Sequence, residues 1–151
     1  MPDAMVDNIL KSRNFNSGYA FVRQLSFGII DMAWHTLDDS INIPLVEFEL
    51  KAMAPTELFP AVPGTCFSTG FHHIFGGGYA AGYYGYKWAE VLDADAFSVF
   101  KQKGIFDQAT AQAFRDNILS RGGTENPMEL YKKFRGQEPS VEPLLERSGL
   151  R

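Results

Sequence analysis

The sequence predicts an all-α fold, on three observations. Apolar residues recur at the three- and four-residue intervals of helices. Prolines, glycines and capping residues fall where helices would start and stop. No two segments alternate apolar and polar residues as a strand pair does, and no internal repeat is present.

In chain order, Asp3 to Leu10 is a short helix candidate, and Asn14 or Asn16 caps a longer one running to about Leu37 through Tyr19, Val22, Leu25, Ile29, Ile30, Ala33 and Trp34. Asp38-Asp39-Ser40 is a break, and Pro44 suits the first turn of a third helix from Ile43 to Ala54. Pro55, Pro60 and Pro63 exclude regular structure in the connection that follows. Thr65 to Phe75 fits strand, turn or short helix equally. Tyr79 to Lys103 reads as the longest helix, stopped by Gly104; Asp107 caps a helix to Ser120, with Gly122-Gly123 as its stop. Asn126 and Pro127 open a short helix to Phe134, and Pro139 and Pro143 frame a last short segment. The 151 residues, 45% of them apolar, are enough for a packed core, so a single helical domain over 1–151 is expected.

Composition also excludes functions. A net charge of −4 without a basic run leaves no footprint for nucleic acid. No stretch of about 18 apolar residues is present to span a membrane. The single cysteine, Cys66, allows neither an internal disulfide nor a thiolate metal cluster, and reads as a small apolar residue. The first residues lack the basic and apolar regions of a signal peptide.

Chemistry concentrates in Phe71-His72-His73-Ile74-Phe75-Gly76-Gly77-Gly78-Tyr79-Ala80-Ala81-Gly82-Tyr83-Tyr84-Gly85-Tyr86-Lys87-Trp88. On a helix of about 3.6 residues per turn, Tyr79, Tyr83 and Tyr86 share one face, beside a bare strip of Gly78, Gly82, Gly85 and Ala89. The stripe offers hydroxyl donors, and interior glycines suggest close packing or a ligand passing over them. The plainer reading is that the tyrosines pack and the glycines make helix contacts. His72 and His73 are adjacent, not the i, i+4 pair that grips zinc from one helix face, and are better placed as donors beside a developing oxyanion. His35 reads as structural. The glycine spacing mimics a dinucleotide-binding loop but lacks the flanking βαβ unit.

These residues resemble the C-terminal signature of the M3 zinc peptidases, the family of thimet oligopeptidase, oligopeptidase A and peptidyl-dipeptidase Dcp. Asn14-Phe15-Asn16-Ser17-Gly18, Arg23-Gln24-Leu25-Ser26-Phe27-Gly28, Asp31-Met32-Ala33-Trp34-His35-Thr36 and Ile118-Leu119-Ser120-Arg121-Gly122-Gly123-Thr124-Glu125 carry the same resemblance over nearly the whole chain. It implies a multi-helix, C-terminal catalytic-lobe fragment of the thimet oligopeptidase (neurolysin-like) fold. The family's zinc is held by an HExxH helix and a later glutamate, and no histidine among His35, His72 and His73 begins such a motif. The resemblance therefore implies zinc in the full-length parent, none bound by this chain, and no activity for the chain alone. It also implies that His73, Tyr79 and Tyr86 clamp the substrate and stabilise the oxyanion, with Tyr83 and Gly76, Gly77 and Gly78 in substrate binding. The expected partners are a short peptide and the rest of the parent peptidase, with self-association of the isolated fragment through the surface left uncovered. A cytoplasmic location is expected, with a periplasmic or exported parent left open. The alternative is a stand-alone peptide-binding or structural helical module without catalysis.

Overall fold

The computed structural model describes residues 1–151. Its regular structure is entirely helical, with no strand, as the periodicity predicts. Contacts divide the chain into two compact units, Met1–Lys87 and Trp88–Arg151.

The first unit contains α1 (Asp3–Ser12), α2 (Ser17–His35), α3 (Leu45–Met53), a 3₁₀ turn (Phe67–Gly70), the one-turn α4 (His72–Phe75) and the first residues of α5 (Gly85–Lys103). α2 and α3 pack together because their apolar residues lie at helical spacing. Ile30, Ala33 and Trp34 of α2 meet Phe48, Ala52 and Met53 of α3, and Phe71 and Ile74 complete the core. Burying side chains as fully as Ile30 and Ile74 contributes roughly 1.5–3 kcal/mol each. Aromatic rings fill the space between: Phe27 stacks on Phe67 at 4.9 Å, and Trp34 meets Phe48 at 4.2 Å. α1 buries none of its residues, so Met5, Val6, Ile9 and Leu10 remain exposed.

Boundaries around the tyrosine segment and α2 differ from expectation. Asn16 does precede α2, but it is left-handed (φ 59°) and its side chain makes no capping bond. The helix expected from Tyr79 begins instead at Gly85. Ala81 is left-handed at φ 53° and Gly78 at φ 83°, conformations that an α-helix cannot contain. Residues 79–84 are a series of turns, so Tyr79 and Tyr83 do not share a helix face with Tyr86. Gly82 lies in a turn and Gly85 opens the helix, so the predicted glycine strip inside a helix does not exist.

The ambiguous Thr65–Phe75 segment is settled by Glu49. Its buried carboxylate accepts from the backbone N–H of Phe67 (2.8 Å) and Ser68 (2.6 Å) and from the Ser68 hydroxyl (2.6 Å). These are the unpaired donors at the start of the 3₁₀ turn. The Ser68 oxygen in turn accepts from the Trp34 indole at 3.0 Å. The proline-rich connection carries no regular element, as predicted.

The second unit holds the rest of α5, then α6 (Gln108–Phe114), a π-helical turn (Arg115–Leu119), α7 (Pro127–Arg135) and α8 (Glu142–Arg147). Both caps read from the sequence form: Asp107 accepts from Thr110 N–H, and Asn126 accepts from Met128 N–H. α6 widens into the π turn rather than continuing as α-helix to Ser120. Val91, Ala94, Val99, Leu130 and Leu144 are buried here. Among them sits the fully buried Asp95, gripped by Arg135 through Nε at 3.0 Å and a second nitrogen at 3.2 Å, and accepting from the Tyr131 hydroxyl at 2.6 Å. Burial first, then the bond to Asp95, pushes the Tyr131 phenol well above its ordinary value. An apolar groove of about 530 Å³ lies in this unit, lined by Leu92, Phe97, Phe100, Phe114, Ile118 and Met128.

Removing one partner of the Asp95–Arg135 pair strands the other charge in an apolar setting. Asp95→Ala is expected to destabilise the chain by about 3–5 kcal/mol, read from urea unfolding by circular dichroism. A loss below about 1 kcal/mol would mean that Arg135 finds water instead.

Candidate functional site

The site is assembled on the first unit by α4, the glycine turn and the tyrosine turns. α4 places the two histidines on different sides. The His72 ring lies over Gly76, where a Cβ would stand 2.4 Å from its Cε1. The His73 ring turns towards Tyr79 (5.9 Å) and Tyr83 (6.2 Å, edge-on). Tyr79 stacks on Tyr86 at 5.1 Å, and Tyr83 meets Tyr86 at 5.0 Å. The four side chains proposed from the sequence thus converge, though by turn geometry and not by a helix stripe. His73, Tyr79 and Tyr86 are exposed, while Tyr83 is half-buried against Phe27 and Phe71. The arrangement presents imidazole and phenol groups on an apolar floor.

The glycines serve close approach. The chain doubles back so tightly after α4 that a Cβ on Gly77 would stand 2.8 Å from the His73 Cα and 2.9 Å from its carbonyl oxygen. Backbone cannot yield as a side-chain tip can, so only glycine fits. The turn is then tied by Gly76 and Gly77 N–H to the His72 carbonyl, and by Tyr79 N–H to the His73 carbonyl at 3.1 Å.

Asp31 completes the site, and the sequence reading passed over it. From α2 its fully buried carboxylate accepts Ala81 N–H on Oδ1 at 3.0 Å and Tyr83 N–H on Oδ2 at 2.9 Å. His35 Nδ1 stands 2.8 Å from both the Asp31 carbonyl oxygen and Oδ1. Both neighbours are acceptors, so Nδ1 is the nitrogen that carries the proton. The structural reading of His35 therefore gains a specific content: it supplies the third donor to Asp31. Gln24 was also missed; its amide donates to the Tyr83 hydroxyl at 3.4 Å. The available signal for Asp31 was a lone acidic residue inside the apolar run Phe27 to Trp34.

Two pKa shifts bear on the site. The Tyr86 phenol is raised, chiefly by its hydrogen bond with Tyr79 and then by partial burial. For Glu49, burial acts to raise the carboxyl, but the bonds from Ser68, Phe67 and Cys66 together outweigh it and hold it below the ordinary carboxylate value. Cys66 is half-buried, with its thiol 3.5 Å from Glu49.

No three His, Cys, Asp or Glu side chains are grouped so that they could hold a metal ion. His35 is committed to Asp31, His72 to the glycine turn, and His73 stands among rings without a carboxylate. The residues present do not fit a zinc ion. No helix is long and apolar enough to cross a membrane.

Comparison with known proteins shows the family. The family model for peptidase family M3 matches residues 1–150. The chain belongs to peptidase family M3. It is 44% identical to oligopeptidase A of Escherichia coli K12 over all of its length, and 42% identical over 99% of its length to a probable cytosolic oligopeptidase A of Arabidopsis thaliana. It is 41% identical over 99% of its length to the dipeptidyl carboxypeptidase of Salmonella typhimurium LT2. The chain spans 22% of the length of each of these relatives.

Two outcomes test the site's construction. Gly77→Ala forces backbone apart and is expected to cost about 1–3 kcal/mol, read from the urea midpoint. For Glu49 the folded carboxyl titrates below its unfolded value of 4.5, so its stabilising share is present above that value. That share is lost as pH falls from about 4.5 through the lower folded value. The stability difference between wild type and Glu49→Gln should therefore be largest at neutral pH and shrink below pH 4.5. A difference that stays constant down to strong acid would remove Glu49 from the acid sensitivity.

Proposed function

We propose that this chain is the C-terminal, substrate-binding part of a zinc-dependent oligopeptidase or peptidyl-dipeptidase that hydrolyses short peptides. The observation that supports this most is the convergence of His73, Tyr79, Tyr83 and Tyr86 on one exposed surface. Membership of family M3, and relatives named for oligopeptidase and dipeptidyl carboxypeptidase activity, point the same way.

In this reading the imidazole of His73 and the hydroxyls of Tyr79 and Tyr86 donate to carbonyl oxygens of a bound peptide, with Tyr83 beside them. Fixed donors of this kind stabilise charge developing on oxygen, and losing one costs on the order of 10²–10³ in rate. The turn Gly76-Gly77-Gly78 presents backbone without side chains, so an extended peptide can lie close to it. The zinc belongs to residues outside this chain, and the chain alone is inactive. Its partners are the peptide and the rest of the parent peptidase. The uncovered apolar residues of α1 fit that second partner, and make self-association of the isolated chain the expected behaviour. We place the parent in the cytoplasm, in line with the relative named as a probable cytosolic oligopeptidase A.

The test begins with the isolated chain and dansyl-labelled pentaalanine, followed by fluorescence anisotropy. Saturable binding that Tyr86→Phe weakens is the expected result. Binding unaffected by Tyr86→Phe, Tyr79→Phe and His73→Ala would place the peptide elsewhere. In a complete M3 peptidase carrying this segment, Tyr86→Phe is expected to lower kcat by at least about tenfold with zinc content unchanged. A fall in zinc content would instead assign Tyr86 to folding or to the metal site.

A further inference from the structure

We infer that Asp31 is the positioning residue of the tyrosine cluster: its carboxylate holds the turn at Ala81 and Tyr83, and so sets where the phenols of Tyr79, Tyr83 and Tyr86 stand. The consequence for peptide binding rests on the function proposed above; the positioning itself does not.

Asp31 is fully buried, and no arginine or lysine pairs with it. A carboxylate removed from water persists only where donors replace the lost hydration. Three do so here: Ala81 N–H, Tyr83 N–H and the Nδ1–H of His35. Two of the three come from the turn that carries the tyrosines, about fifty positions away in sequence. Closely spaced N–H groups beside a left-handed residue form a concave anion cradle, and Ala81 supplies that residue at φ 53°. An alanine seldom adopts this conformation unaided, so the carboxylate and the turn impose geometry on each other.

The other ties act on different points. The His73 carbonyl fixes Tyr79 N–H, Gln24 reaches only the far end of Tyr83, and Gly28 lets the Tyr84 backbone come close to α2, at 3.6 Å from where a Cβ would stand. The turn's own bonds, Gly82 N–H to the Tyr79 carbonyl at 2.8 Å and Tyr86 N–H to the Tyr83 carbonyl at 3.2 Å, engage neither the Ala81 N–H nor the Tyr83 N–H, which Asp31 alone holds. Asp31→Asn preserves shape but replaces one acceptor oxygen with an NH₂, which then faces an N–H donor. The turn should spring from the cradle while α2 keeps its apolar contacts.

The readout is the ultraviolet phenolate titration of the chain: Tyr86 titrates late through its bond with Tyr79, while the buried Tyr131 of the second unit is late in every variant, so the signal is the late phenol that Tyr86→Phe removes. Wild type, Asp31→Asn, Tyr86→Phe and the core control Met53→Ala are compared. The expected result is that Asp31→Asn loses the late phenol, as Tyr86→Phe does, while Met53→Ala keeps it. Asp31→Asn should also expose the Ala81 and Tyr83 amides to hydrogen exchange while α2 amides stay protected. That late phenol retained in Asp31→Asn, or lost equally in Met53→Ala, overturns the inference. Binding of dansyl-labelled pentaalanine separates the two claims. About a tenfold loss of affinity in Asp31→Asn extends the positioning to the peptide. Unchanged affinity in Asp31→Asn, where Tyr86→Phe weakens it, overturns that extension and leaves the proposed function standing. A wild-type chain that binds no peptide sinks the proposed function, with the positioning still decided by the titration.

Discussion

One buried carboxylate governs the local architecture of the first unit. Asp31 lies on α2 next to Ile30, a residue of the core, so the acid and the apolar anchor are set by the same helix turn. Burying a charge in such a place is unfavourable unless every lone pair is engaged. The chain meets that demand by bending the residues after the glycines around Asp31 and by bringing His35 over from the next turn of α2. The late start of α5, the left-handed Ala81 and the convergence of the tyrosines all follow from that single solvation requirement.

Glu49 repeats the device on a smaller scale. It too is a buried acid without an arginine or lysine partner, and it too organises backbone: the 3₁₀ turn before α4 exists where its donors can reach the carboxylate. The unit thus uses two acids as fixed points for irregular chain, with Trp34 and Ser68 linking the second to the aromatic core. The second unit solves its buried acid differently, by a two-pronged arginine and a phenol. That pair is closed on itself and shapes no loop.

Local signals were legible in the sequence, and distant ones were not. The caps at Asp107 and Asn126 were readable because donor and acceptor lie within three residues of each other. The core positions of α2 and α3 were readable from spacing. The side chains that converge on the glycine turn were readable as a set, because the His/Gly/Tyr composition is distinctive and carries a family resemblance. Their arrangement was not, since Tyr79 to Lys103 has unbroken helical periodicity and nothing local announces that Ala81 is left-handed. The decisive acceptor stands fifty residues upstream, in a helix where one aspartate looks like a surface residue. Similarly, the π turn after α6 has no short-range sign, since its residues are ordinary helix formers.

The phenols of Tyr79 and Tyr86 are already engaged with each other. Their rings stack at 5.1 Å, and the bond between their hydroxyls holds the Tyr86 phenol above its ordinary value. A carbonyl arriving at this surface would therefore compete with a bond inside the pair. The two tyrosines act as a latch that a ligand has to open, and part of what the newcomer gains is offset by what the pair gives up.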